Sequence, residues 1–154
     1  MSDRPPDSGA AGAEPVRALL VHPAFLGDTV FLGPATRALK ARWPRGRVAV
    51  VVTPRGAPVA RLLPGVDEVV VFDKRGADSG AGGLWRLASR LRGRFDLALV
   101  PHYSARSGLL AWLAGVPRRL GYALLCNERL RLDRSRPFVE RALRLAERAG
   151  ASGV

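Results

Sequence analysis

The sequence predicts an α/β fold, a Rossmann-like parallel sheet with helices on both faces. Three observations predict it. From Val16 onward, short apolar runs alternate with amphipathic stretches in a βαβα rhythm. One run, residues 48–52, is continuously apolar and mostly β-branched, as a strand covered on both faces must be. The chain has 154 residues, 47% of them hydrophobic, enough for one domain that buries roughly two-thirds of its unfolded surface.

Taken in order, residues 1–15 are rich in Pro, Gly, Ala and Ser and hold almost no large apolar side chain. Nothing there offsets the entropy of ordering, so a disordered leader is expected. The domain then runs over residues 16–150. Strands are expected at residues 17–22, 47–53, 67–72 and 95–101, with a weaker one at 119–123. Helices are expected near 29–43, 57–63, 84–92, 107–114 and 137–149.

Leu32, Ala35, Leu39 and Trp43 keep helical spacing and should face the sheet. Pro34 falls inside that helix, so either it occupies the first helical position after a turn at Gly33, or the helix starts at Asp28 and kinks. In the last helix Val139, Leu143, Ala146 and Ala149 form one stripe, and Gly150 ends it. Residues 76–83, GADSGAGG, read by composition as a flexible loop.

Composition narrows the function classes. A net charge of +12 and a pI near 11.6 draw polyanions: nucleic acid, anionic head groups or phosphorylated glycolipid. No helix-turn-helix, RNA-recognition or finger signature is present, and arginine is scattered over all the helices, so no specific nucleic-acid partner is expected. The single Cys126 has no partner for a disulfide, and no ligand cluster offers a metal site. No apolar run reaches the roughly 18 residues of a membrane span, and the N-terminus lacks a signal-peptide core, so a soluble, cytoplasmic protein is expected. The first turn is FLGDT rather than G-x-G-x-x-G, and no Gly-Lys-Ser/Thr loop occurs, which argues against an NAD or P-loop enzyme.

In an open parallel sheet, ligands bind beyond the carboxyl ends of the strands. Those ends read HPAFLGDT from His22, TPRG from Thr53, DKRG from Asp73 and HYSARS from His102. One lip would then gather the carboxylate of Asp28 with Arg55, Lys74, Arg75, His102 and Arg106. Arg106 and Ser107, at the opening of the fourth helix, can offer a guanidinium fork and free N–H groups to an anion. Plainer readings stand beside these: a solvated basic rim, an Asp28 that merely caps a helix, and strand-end histidines bonded to neighbouring loops.

The opening stretch VRALLVHPAFLGDTVFLGPATRALKARWP resembles that of glycosyltransferase family nine, the ADP-heptose lipopolysaccharide heptosyltransferases. Three further segments follow in the family's order: VDEVVVFDKRG, FDLALVPHYSARSGLLAWLAGVPRRLGY and PFVERALRLAERAG. The resemblance spans Val16 to about Gly150. It implies the N-terminal, acceptor-binding half of a GT-B glycosyltransferase, with the C-terminal donor-binding domain expected to be absent.

By resemblance Asp28 is the base that deprotonates the acceptor hydroxyl, and Gly27, Thr29, Arg75, His102 and Arg106 line the acceptor site. Where many members carry Lys or Arg near the end of the first strand, this sequence has His22. The implied reaction is an inverting transfer of heptose from a nucleotide sugar, ADP-heptose, to the acidic inner core of lipopolysaccharide. Neither metal nor other cofactor is implied, and the donor would bind the missing domain. The implied partners are an anionic lipid-linked oligosaccharide, the inner face of the cytoplasmic membrane as a peripheral site, and a separate donor-binding domain. The alternative is a non-catalytic module that binds an anionic glycan or glycolipid.

Overall fold

A computed structural model describes residues 16–151, so the leader expected over residues 1–15 lies outside the described residues. The strands are β1 (Arg17–Val21), β2 (Arg47–Val52), β3 (Glu68–Val71), β4 (Leu97–Val100), β5 (Arg118–Gly121) and β6 (Glu128–Arg129). The helices are α1 (Leu26–Val30), α2 (Gly33–Arg42), α3 (Ala57–Ala60), α4 (Gly80–Leu91), α5 (Ala105–Leu113) and α6 (Phe138–Ala149). All six strands form one parallel sheet in the order β3-β2-β1-β4-β5-β6.

Alternation along the strands builds two cores. Ala18 and Leu20 of β1, with Val48, Val50 and Val52 of β2, pack under α2, α3 and α6. Leu19, Val21, Ala49 and Val51 face the opposite way, toward α4 and α5. Every one of these side chains is buried, which is why the run at 48–52 carries no polar residue. The register also aligns the strand ends: Val21 lies opposite Val51, Val51 opposite Val70, and Leu20 opposite Leu99. The chain therefore leaves β1, β2, β3 and β4 along one edge.

Three local expectations need correction, and one strand is new. The helix read at 29–43 is two helices, broken at Phe31 and Leu32, and Pro34 sits in the first turn of α2, where it has no hydrogen bond to lose. Helix α4 begins at Gly80, so the second half of the glycine-rich stretch is helical. Burial of Leu84, Leu87, Ala88 and Leu91 outweighs the low propensity of Gly80, Gly82 and Gly83. The buried seam of α6 is Ala142, Leu145, Ala146 and Ala149, with Val139 and Leu143 only partly covered. Strand β6 was not legible: two polar residues at a sheet edge carry no periodicity.

Gly108 shows how closely α5 meets the segment after β5. A Cβ there would overlap the Leu124 carbonyl oxygen, and backbone cannot rotate aside as a flexible side chain can. Gly108→Ala is expected to destabilise the chain by about 1–3 kcal/mol, read as a lower denaturant midpoint with unchanged slope.

Candidate functional site

Strands β1 and β4 are neighbours whose onward connections diverge, β1 feeding β2 on one side and β4 feeding β5 on the other. The crevice beyond their ends is the switch point at which such sheets hold ligands. Two imidazoles meet there. His22 follows β1 and His102 lies just past β4, with their Nδ1 atoms 3.3 Å apart and the rings nearly perpendicular. One Nδ1 must donate and the other accept, so the pair cannot hold this contact with both rings charged. His102 Nε2 lies 3.3 Å from the Ser107 hydroxyl of α5, extending the chain of polar groups into a helix. The Phe138 ring of α6 covers His22, and His22 Nε2 is buried without a hydrogen-bond partner among the described residues.

Burial sets the charge of these rings. Desolvation pushes His22 down to about 3, helped by His102 and by the Lys74 ammonium. Desolvation likewise lowers His102 to about 4, with Lys74 and Arg141 adding to the effect. Both are neutral at physiological pH, so neither ring adds a positive charge to the lip. The two ring nitrogens of His102 are engaged by His22 and Ser107. Lys74 is spent as a strut, its Nζ donating to the Pro23 carbonyl at 2.7 Å and pinning the segment after β1.

Asp28 lies in the first turn of α1, directly beyond β1. Capping does not account for it: the N-cap is Phe25, and no side-chain cap bond forms. The residue is partly exposed, and among the described residues its carboxylate makes no hydrogen bond or ion pair. By contrast, Asp73 and Asp78 are used within their own turn, accepting from Ala77 N and Asp73 N. At the far edge of the sheet Asp67, Glu68 and Asp96 pair with Lys40, Arg47, Arg94 and Arg17.

The remaining expected site residues divide. Gly27 precedes Asp28, and a Cβ there would meet nothing, so its backbone faces open space. Arg75 and Arg106 are exposed and unpaired among the described residues, as is Arg55. Thr29 does not face the lip. It is 1% exposed, its hydroxyl lies 3.4 Å from the Phe25 carbonyl, and it packs beside Gly56 at the start of α3. Its role is to hold α1 against α3. Sequence reasoning missed the His22–His102–Ser107 chain, because a contact across 80 residues depends on which strands are neighbours. Cys126 is a buried thiol that burial makes harder to ionise.

No family model matches the chain. Among curated proteins, lipopolysaccharide heptosyltransferase 2 of Escherichia coli is 29% identical over 139 residues, covering 85% of this chain and 40% of that protein. A putative glycosyltransferase of Haemophilus influenzae is 29% identical over 124 residues, covering 77% of this chain and 35% of its own length. Among solved structures, the Escherichia coli ADP-heptose lipopolysaccharide heptosyltransferase II superposes with a TM-score of 0.71 at 29% identity, over 84% of this chain and 40% of that one. A family 9 glycosyl transferase from Veillonella parvula gives a TM-score of 0.81 at 23% identity, over 94% and 44%, a likeness of fold. The chain thus spans less than half the length of each.

Proposed function

We propose, for a chain that resembles the N-terminal domain of glycosyltransferase family nine, that its lip is the acceptor side of an inverting sugar transfer. The reaction is transfer of heptose from a nucleotide sugar, ADP-heptose, to the acidic inner core of lipopolysaccharide at the inner membrane face. The observation that carries this reading is Asp28: a partly exposed carboxylate without a partner among the described residues, one turn beyond the central strand β1 at the switch point.

The chemistry follows from that placement. The acceptor oxygen attacks the anomeric carbon as the bond from that carbon to the nucleotide breaks, through an oxocarbenium-like state. The hydroxyl proton passes to the Asp28 carboxylate as charge builds on the oxygen. Arg75 and Arg106 supply guanidinium groups for the acceptor's acid groups and Gly27 lets the sugar approach backbone, while His102, its ring nitrogens engaged by His22 and Ser107, holds the crevice between β1 and α5 in shape. The donor nucleotide is assigned to a separate half.

Calorimetry separates the roles. An acidic inner-core oligosaccharide should bind, and Arg75→Ala or Arg106→Ala should weaken it about tenfold each, the usual loss for a hydrogen bond to a charged group. ADP should give little heat. Submicromolar ADP binding would reverse the assignment of acceptor and donor sides, whereas acceptor binding that never supports transfer with a donor half present would leave a glycan-binding module.

A further inference from the structure

Helices α4 and α5 turn an outer surface to solvent that differs from an ordinary soluble helix pair. Trp85 on α4 is 53% exposed and Trp112 on α5 is 50% exposed. The Arg92 guanidinium lies 5.7 Å from the centre of the Trp85 ring and donates to the Leu113 carbonyl at 3.1 Å, so one cation bridges the two helices beside the aromatic positions. Carboxylates are sparse among the described residues there. Between Asp78 and Glu128 the sole acidic residue is Asp96, held by Arg17 at the far edge of the sheet; of the seven arginines in that stretch, Arg94 and Arg118 pair with Glu68 and Glu128, and Arg86, Arg90, Arg92, Arg106 and Arg119 make no ion pair among the described residues.

The same face carries a cleft of about 660 Å³ between the N-terminal halves of α4 and α5. Leu84, Ala105, Leu109, Leu124 and Leu125 line it, and Arg106 is the one charged residue at its wall. Leu125 has a φ of 69°, the left-handed region that costs a leucine free energy, yet its side chain stays 45% exposed. Arg119 Nε fixes that turn by donating to the Leu125 carbonyl at 2.8 Å. Strained backbone thus presents leucines to solvent at the mouth of an apolar cleft. The other exposed apolar group, Phe25, Leu26, Val30 and Phe31, surrounds Asp28 on α1 and belongs to the site already described.

Half-exposed tryptophans, arginines without ion pairs among the described residues and an apolar cleft, with Asp78 turned into a bond with Asp73 N, are complementary to anionic head groups above acyl chains. A small soluble anion has no use for the cleft, and a protein partner of mixed charge does not call for so strong an excess of arginine over acid. We propose that the α4–α5 face docks on an anionic phospholipid bilayer, with Trp85 and Trp112 at head-group depth and an acyl segment entering the cleft beside Arg106. The cleft opens at the helix N-termini, hence at the edge that bears Asp28, so docking holds the crevice beside the membrane plane. This deepens the reading of the lip as a site for a lipid-linked acceptor, but vesicle binding is read without any sugar transfer.

The test is flotation of the full chain with vesicles of phosphatidylglycerol and phosphatidylcholine, against phosphatidylcholine alone, together with quenching of tryptophan fluorescence by brominated acyl chains. The chain should float with the anionic vesicles and be quenched. Trp85→Ser with Trp112→Ser should weaken binding about tenfold or more. Leu124→Asp in the cleft should also weaken it, whereas Leu62→Asp, an exposed leucine on the opposite face, should not. Circular dichroism melting verifies that each variant is folded. Flotation without quenching would mean adsorption by net charge and would overturn the proposal. Absence of flotation, or lipid-free self-association that Trp112→Ser abolishes, would overturn it too. Vesicle binding with no sugar transfer when a donor half is supplied would sink the acceptor reading alone.

Discussion

Replacing Asp28 with Asn, in the chain joined to a donor-binding half, is expected to lower the rate of sugar transfer about a hundredfold or more. The substitution keeps size and shape and removes the base. Melting should barely move, because the carboxylate makes neither a cap bond nor an ion pair among the described residues; any loss of its interaction with the α1 dipole is worth about 1 kcal/mol or less. Acceptor affinity should fall only modestly, since Arg75 and Arg106 keep their charge. Steady-state kinetics decides the matter: the loss belongs in kcat, with KM for the acceptor nearly unchanged. An Asn variant that transfers sugar at close to the parent rate would remove Asp28 from the mechanism.

The second large effect is acid lability. His22 and His102 titrate at about 3 and about 4 in the folded chain, against an ordinary value of 6.5. Below pH 6.5 the unfolded chain therefore binds protons that the folded chain refuses. Stability is full above 6.5 and falls as pH drops, by up to about 1.4 kcal/mol per pH unit for each histidine. That window closes near 4 for His102 and near 3 for His22. Asp67, Glu68 and Asp96 are held below the ordinary carboxylate range, Asp67 by the Val48 N–H and Lys40, Glu68 by Arg94 and Asp96 by Arg17. Their contribution is present above the ordinary carboxylate range and is lost only as pH falls below it, so it adds at the acid end. Denaturant unfolding at pH 7, 5.5 and 4.5 should show a fall of several kcal/mol, and His22→Leu with His102→Leu should flatten it above pH 4.5. A parent chain equally stable at pH 7 and pH 5 would mean that the pair is solvated.

Both expectations rest on positions that the sequence marked unequally. Asp28 was legible because it stands in a Gly-Asp pair just past a strong apolar run, and the end of a parallel strand is where such folds do chemistry. Arg75 and Arg106 stand out in the sequence only by their place past strand ends. His102 reads as a strand-end residue of the lip, but its desolvation and its contacts with His22 and Ser107 are tertiary properties. Thr29 read as a lip residue because it follows Asp28, yet one residue along a helix turns a side chain by about 100°, here from solvent into the contact with α3.

What the sequence determined by itself was the α/β class, five of the six strands and the stretch that carries Asp28. Apolar periodicity and strand-end position are local quantities that survive without coordinates. Tertiary structure alone decided the rest: the strand order that makes β1 and β4 neighbours, the meeting of His22 with His102, and the alignment of Trp85, Trp112 and the leucine cleft on one face. Those depend on which surfaces share a common core. That choice is set by the summed burial of the two faces of the sheet, not by any single residue or its neighbours in the chain.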